Sequence, residues 1–107
     1  MAGVTTFAVI RSRGPAWDPN VPMRGQIGWD AHARFMNALA AEGFVVLGGP
    51  LGDGARTLLV IEAASEDAVR ERLAPDPWTG SSLLRIDSIT PWQILLARRD
   101  GTQQRTA

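Results

Sequence analysis

Apolar and polar positions alternate through "TTFAVIR", Thr5 to Arg11, with Phe7 and Val9 on one side of an extended chain and Ala8 and Ile10 on the other. The β-branched and aromatic content of this stretch predicts a first strand. From about Trp29 to Glu42 the period changes: Trp29, Phe35, Met36, Leu39 and Ala40 recur at helical spacing, opposite Arg34, Asn37 and Glu42. Asp30 stands at the start of this helix as cap or first-turn acid, and Gly43 marks its end. "FVVLGG" then reads as a short strand, Pro50 with "GDG" as a turn, and "RTLLVIEA" as the second strand of a hairpin. Ser65 caps a second helix with Glu66 and Asp67 in its first turn and Arg70 and Arg72 near its end. Ala68, Val69 and Leu73 form its buried stripe, and Pro75 stops it. "PDPWTGS" reads as a loop. "LLRIDSITPWQILLA" is either one strand interrupted at Pro91 or two segments in line, because proline cannot donate to a sheet ladder.

The order β-α-β-β-α-β, with right-handed crossovers, predicts an α+β fold, the ferredoxin-like plait: four antiparallel strands with both helices on one face. Yet "FAVI", "FVVL", "LLVI" and "WQILL" are apolar on both sides, where a half-exposed sheet alternates with polar residues. A second layer is needed, and no part of the chain remains to build it. The expectation is a homodimer whose two sheets face each other, a dimeric α/β barrel. Residues 1–97 are read as a single domain and 98–107 as a flexible tail with nothing to hold it in a core. The link from Ser12 to Gly28 carries three prolines and three glycines and is a long loop, which in a domain this compact is often functional.

Composition narrows the function classes. With 11 basic and 11 acidic residues among 107, no bulk charge draws the chain to nucleic acid. The absence of cysteine removes thiol nucleophiles, disulfides and thiolate metal sites, and fits a cytoplasmic protein. The N-terminal stretch has no basic segment ahead of its broken apolar run, so no signal peptide is expected, and no stretch reaches the roughly 20 apolar residues of a membrane span. One histidine without a metal-spaced cluster predicts no metal site, and neither a phosphate-binding GxxxxGK[ST] loop, a GxGxxG turn nor a GxSxG elbow is present. No cofactor is expected.

His32, the lone histidine, lies three residues after Trp29 and three, four and seven before Phe35, Met36 and Leu39, so it shares the inward helix face. Spacing alone favours a packed core histidine. Its place early in the helix adds that burial and the helix dipole both favour a neutral imidazole, the form that accepts a proton. A base needs an orienting partner, and the carboxylates outside surface runs are Asp18, Asp30, Asp53, Asp76 and Asp87. Asp30 and Asp53 serve as helix-start and turn residues, while Asp76 is fixed between Pro75 and Pro77. Gly48, Gly49 and Pro50 admit either close approach of a ligand or a β-bulge. Trp78 beside Asp76 is placed to wall an apolar pocket. Ser88 falls on the same side as Leu84 and Ile86 if the strand is regular, which puts a hydroxyl on an apolar face.

Taken in order, "HARFMNALAAEG", "VVLGGPL", "ASED", "DPW" and "ITPW" resemble the YCII-like family of small dimeric α+β barrel proteins, over roughly Thr5 to Leu96. The resemblance implies a histidine and aspartate dyad at His32 and Asp76; Gly48, Gly49, Pro50, Trp78 and Ser88 are the substrate-binding candidates that the residues themselves offer. It implies kinship with muconolactone isomerases and with an enzyme that removes chloride from a chlorinated hydroxyquinone-type aromatic. The Ser12 to Gly28 loop is longer than the family's usual link, and Trp78 stands where phenylalanine is common. The resulting expectation is a cofactor-independent lyase or isomerase acting on a small cyclic or aromatic compound that is anionic or enolisable. The alternative is a dimer that binds a small ligand without turnover, or is purely structural.

Overall fold

The fold is described from a computed structural model, which covers residues 3–98. Strand β1 (Thr5–Arg13) leads through the long loop to helix α1 (Trp29–Ala41). The hairpin β2 (Val45–Leu51) and β3 (Arg56–Ala63) follows, then α2 (Glu66–Leu73), a four-residue helix α3 (Pro77–Gly80) and β4 (Leu84–Pro91). The sheet order is β2-β3-β1-β4 and every neighbouring pair is antiparallel, the topology of the ferredoxin-like plait. The tail expected over 98–107 falls almost wholly outside the described residues.

Each element begins and ends for a local reason. Gly43, at φ +85°, takes the left-handed backbone that closes α1, as its position suggested. The Ser65 side chain accepts a hydrogen bond from the Ala68 backbone N–H and starts α2. Glycine rather than Asp30 occupies the α1 cap: Gly28 sits in a left-handed conformation and Asp30 lies in the first turn, where the helix dipole favours an acid. The two prolines within strands, Pro50 and Pro91, lie on β2 and β4, the two edges, where a missing N–H costs no ladder bond on the open side. β2 therefore runs on through Pro50 to Leu51. β4 stops at Pro91, and residues 92–98 form no regular element, which corrects the longer final strand expected from the apolar pattern.

Phe7 and Val9 of β1, Leu59 and Ile61 of β3 and Ile89 of β4 pack with Leu39 of α1 and with Val69 and Leu73 of α2 in one core. Both long helices thus lie on one face. Val9, Ile61, Val69 and Leu73 are completely buried, each side chain contributing about 1.5–3 kcal/mol by leaving water. A second cluster gathers Trp78, Leu83 and Leu84 with Trp17, Met23 and Trp29, and fastens the long loop to the end of the sheet.

The loop is ordered by one buried side chain. Gln26 donates through Nε2 to the carbonyls of Asp18 and Val21, both at 2.8 Å, and its Oε1 accepts from the Asp18 backbone N–H at 3.1 Å. All the bonding capacity facing the loop is used, so the proline-rich link is a fixed wall rather than a loose strap.

Candidate active site

"PDPW", a loop by composition, holds the start of α3, and the reason is local. Asp76 precedes a proline at the first helical position, and its carboxylate accepts from the Trp78 backbone N–H at 2.9 Å. This fixes a carboxylate whose side chain is fully buried. Opposite it, in the first turn of α1, His32 turns inward. Its Nδ1 lies 2.8 Å from Oδ1 and 3.0 Å from Oδ2 of Asp76. An ionised carboxylate only accepts, so Nδ1 carries the proton and donates it, and in the neutral ring the lone pair stands on Nε2.

A third group completes the cluster. Arg11 of β1, 2% exposed, donates from Nη1 to Asp76 Oδ2 at 2.8 Å, and its Nη2 lies 3.6 Å from the sulfur of Met36. Burial by itself pushes the Asp76 carboxyl up. Hydrogen bonds from His32, from Arg11 and from the Trp78 N–H, with the charge of His32 behind them, outweigh it and hold the carboxyl below its ordinary value. The carboxylate therefore stays charged at neutral pH, with its negative charge shared between a guanidinium and an imidazole.

The imidazole is held from one side as well. The Trp78 ring stacks on it with centroids 3.9 Å apart and planes 6° from parallel, and Trp78 is itself pinned by a 2.8 Å bond from its indole N–H to the Ile27 carbonyl. Trp17 meets Trp78 edge-on at 5.6 Å, and Trp29 lies 5.7 Å from it, tilted. Ring orientation at His32 is thus fixed by a carboxylate at Nδ1 and an indole across its face.

His32 opens onto a cavity of about 580 Å³ between α1, the sheet and the long loop. Arg11, Arg13, Trp17, Met36 and Trp78 line it, and Asp76 lies behind this wall. Among the described residues nothing hydrogen-bonds Nε2 of His32. Such a site can hold a small, mostly apolar molecule against a nitrogen base.

The other candidates divide. Gly48, Gly49 and Pro50 line the cavity, but a side chain at Gly48 would come within 2.5 Å of Leu59 Cδ2 and 3.1 Å of the Leu58 carbonyl, whereas Gly49 has open space. Gly48 is glycine for close packing onto β3. A Gly48→Ala variant is expected to lose about 1–3 kcal/mol by overpacking, while Gly49→Ala is neutral or slightly stabilising; urea unfolding of the pair reads the contrast directly. The bulge expected at these glycines lies earlier, between Val45 and Leu47.

Ser88 is not part of the cavity. Strands β1 and β4 shift register between Ile10 and Arg11, so Ile86 pairs with Arg11 on the helix side while Ser88 pairs with Ile10 on the opposite face. This bulge at Asp87 breaks the alternation that had put Ser88 with Leu84 and Ile86. Asp87 accepts from the Ser12 hydroxyl at 2.8 Å, and Asp18 and Asp53 cap local turns through the backbone N–H groups of Asn20 and Ala55, so none of these reaches His32.

Arg11, Arg13 and Trp17 were not picked out from the sequence. Arg11 and Arg13 continue the inward parity of Phe7 and Val9, so a charged residue in step with a buried strand face was the available signal.

A ferredoxin-like plait in which a buried histidine and aspartate pair opens on a cavity defines a small α+β domain with one enclosed polar cluster. The model of the family described as YCII-related domain matches residues 15–93, and the chain belongs to that family. The match contains His32 and Asp76 and begins beyond β1, so Arg11 and Arg13 lie outside it. Neither the curated proteins nor the solved structures include a match to this chain. Among the described residues no helix is long and apolar enough to cross a membrane, and no group of three or more His, Asp or Glu side chains is arranged to hold a metal ion.

Proposed function

We propose that this chain is a lyase or isomerase that works without a cofactor on a small cyclic or aromatic compound, with His32 as the base and Asp76 as its orienting partner. The observation that carries this reading is the pair of environments on one ring: Nδ1 held by a buried carboxylate and Nε2 unpartnered at the cavity. Nε2 takes a proton from a carbon next to a carbonyl, and the electron pair moves into the carbonyl as an enolate. In isomerisation the imidazolium returns the proton to a different carbon. In elimination the same electrons expel a leaving group from the adjacent carbon, and the proton passes to water. The Asp76 carboxylate stabilises the imidazolium in either case.

The Gly48 and Gly49 backbone is a weaker candidate for holding developing negative charge, because free N–H groups of an edge strand lie in the plane of the sheet. The working form is proposed to be a cytoplasmic homodimer. The exposed Val46 and Leu47 on edge strand β2 support a covering second copy, as do the apolar residues on the sheet face away from the helices.

A second reading has its own support. Asp76 already caps α3 and neutralises Arg11, so the same cluster serves a dimer that binds a ligand without turnover. Proton exchange separates the two. Unsaturated lactones and hydroxyquinones incubated with the protein in deuterated water are followed by NMR. Deuterium entry beside the carbonyl with wild type, lost in His32→Asn and Asp76→Asn, is the expected result; equal exchange with all three proteins, or none with any, rejects catalysis by the dyad.

A further inference from the structure

Two arginines line the cavity, and they are not equivalent. The charge of Arg11 is consumed by Asp76 at 2.8 Å. Arg13, two residues on and with the same inward parity, has no carboxylate within 4 Å among the described residues. Its guanidinium lies 4.8 Å from the centre of the Trp17 ring, and Nη2 makes one long bond of 3.4 Å, to the Asp53 carbonyl. Its Nε is buried without a partner, as is that of Arg11, and among the described residues Arg13 Nη1 makes no hydrogen bond. Space is reserved for the group: Gly54, at φ +86°, stands where an added Cβ would come 3.2 Å from Nη2. The one acid in the cavity wall, Asp53, is exposed and turns its carboxylate to the Ala55 N–H in the hairpin turn.

We infer that Arg13 is the anion-binding residue of this cavity and that its ligand is a small cyclic or aromatic monocarboxylate, with the carboxylate on Arg13 and the ring in the apolar part of the cavity toward His32. This rests on the cavity being the ligand site of the proposed function, but not on turnover. A planar fork stacked on an indole matches a carboxylate in two-point contact. The rest of the wall, with Trp29, Met36 and Leu59, suits a ring rather than a second charged group.

The test compares benzoate, salicylate and 3-cyclohexenecarboxylate with their neutral amides by calorimetric titration, against wild type, Arg13→Met, Arg13→Lys and Arg70→Met, each checked for folding by circular dichroism. A charge-assisted bond to the half-buried guanidinium predicts that wild type prefers at least one acid over its amide about ten- to a hundredfold. Arg13→Met removes the preference, Arg13→Lys keeps part of it, and Arg70→Met, an exposed α2 position away from the cavity, leaves it intact. Equal affinity for acid and amide in wild type, no binding of any acid, or a preference that survives in folded Arg13→Met overturns the inference. Inorganic phosphate is titrated in parallel, and phosphate binding tighter than every carboxylate also overturns it. Deuterium exchange on a neutral lactone without any preference for acids rejects this inference while leaving the proposed function standing.

Discussion

Asp76→Ala is expected to lower folding stability by about 3–5 kcal/mol, the cost of leaving a buried charge without its partner. The stranded group is Arg11, 2% exposed, which loses its carboxylate partner, while the Trp78 N–H loses its cap and His32 its orienting acceptor. Against a typical total of roughly 5–15 kcal/mol, this is a large fraction of the fold. Urea unfolding of Asp76→Ala, Arg11→Met and the double variant measures it. Since Arg11→Met removes the stranded cation, the double variant is expected to be more stable than the sum of the single losses implies. Strict additivity would mean that the two side chains do not support one another.

The same carboxylate sets an acid limit. Its folded-state value lies below the ordinary one, so its contribution is complete above the unfolded aspartate value of about 3.9 and is lost as pH falls below it toward the folded-state value. The stability gap between wild type and Asp76→Asn should therefore narrow as pH falls below 4, where Asp76 itself takes up a proton. A gap that widened on acidification below pH 4 would contradict the assignment.

Turnover carries the second large effect. Once a substrate is found by proton exchange, His32→Gln is expected to lower kcat by about 10²–10⁴, the usual contribution of a positioned base. Gln retains hydrogen bonding but cannot take up a proton. Asp76→Asn should fall in the same range for a different reason: an amide can present N–H to Nδ1 and so favour the tautomer that has its proton on Nε2, facing the substrate. The two losses should not multiply in the double variant, since both remove one function. Losses that multiplied fully would assign the residues to separate tasks.

Legibility in the sequence followed physical range. Helices α1 and α2 and the hairpin were readable because period, caps and turn glycines all act within a few residues. The inward direction of His32 was readable for the same reason. Its pairing with Asp76 spans 44 positions and came from family resemblance, since spacing left five aspartates open. Short-range signals also existed for α3, in Asp76 followed by Pro77, and for Arg11, in step with Phe7 and Val9; both require weighing one residue against the pattern around it. The bulge at Asp87 had no such signal. No glycine marks it, and it follows from how β4 meets β1, so the side chosen for Ser88 could not be read from β4 alone. Gln26 is similar, an ordinary polar residue whose burial depends on the whole path of the loop.

The stack of Trp78 on His32, 3.9 Å apart and nearly parallel, has an optical consequence. A protonated imidazole in contact with an excited indole takes up its electron more readily than a neutral one, so the emission of Trp78 is coupled to the charge state of His32. The proton that the protein is proposed to move is thus expected to be visible in the part of the tryptophan emission that Trp78→Phe removes, with no added dye.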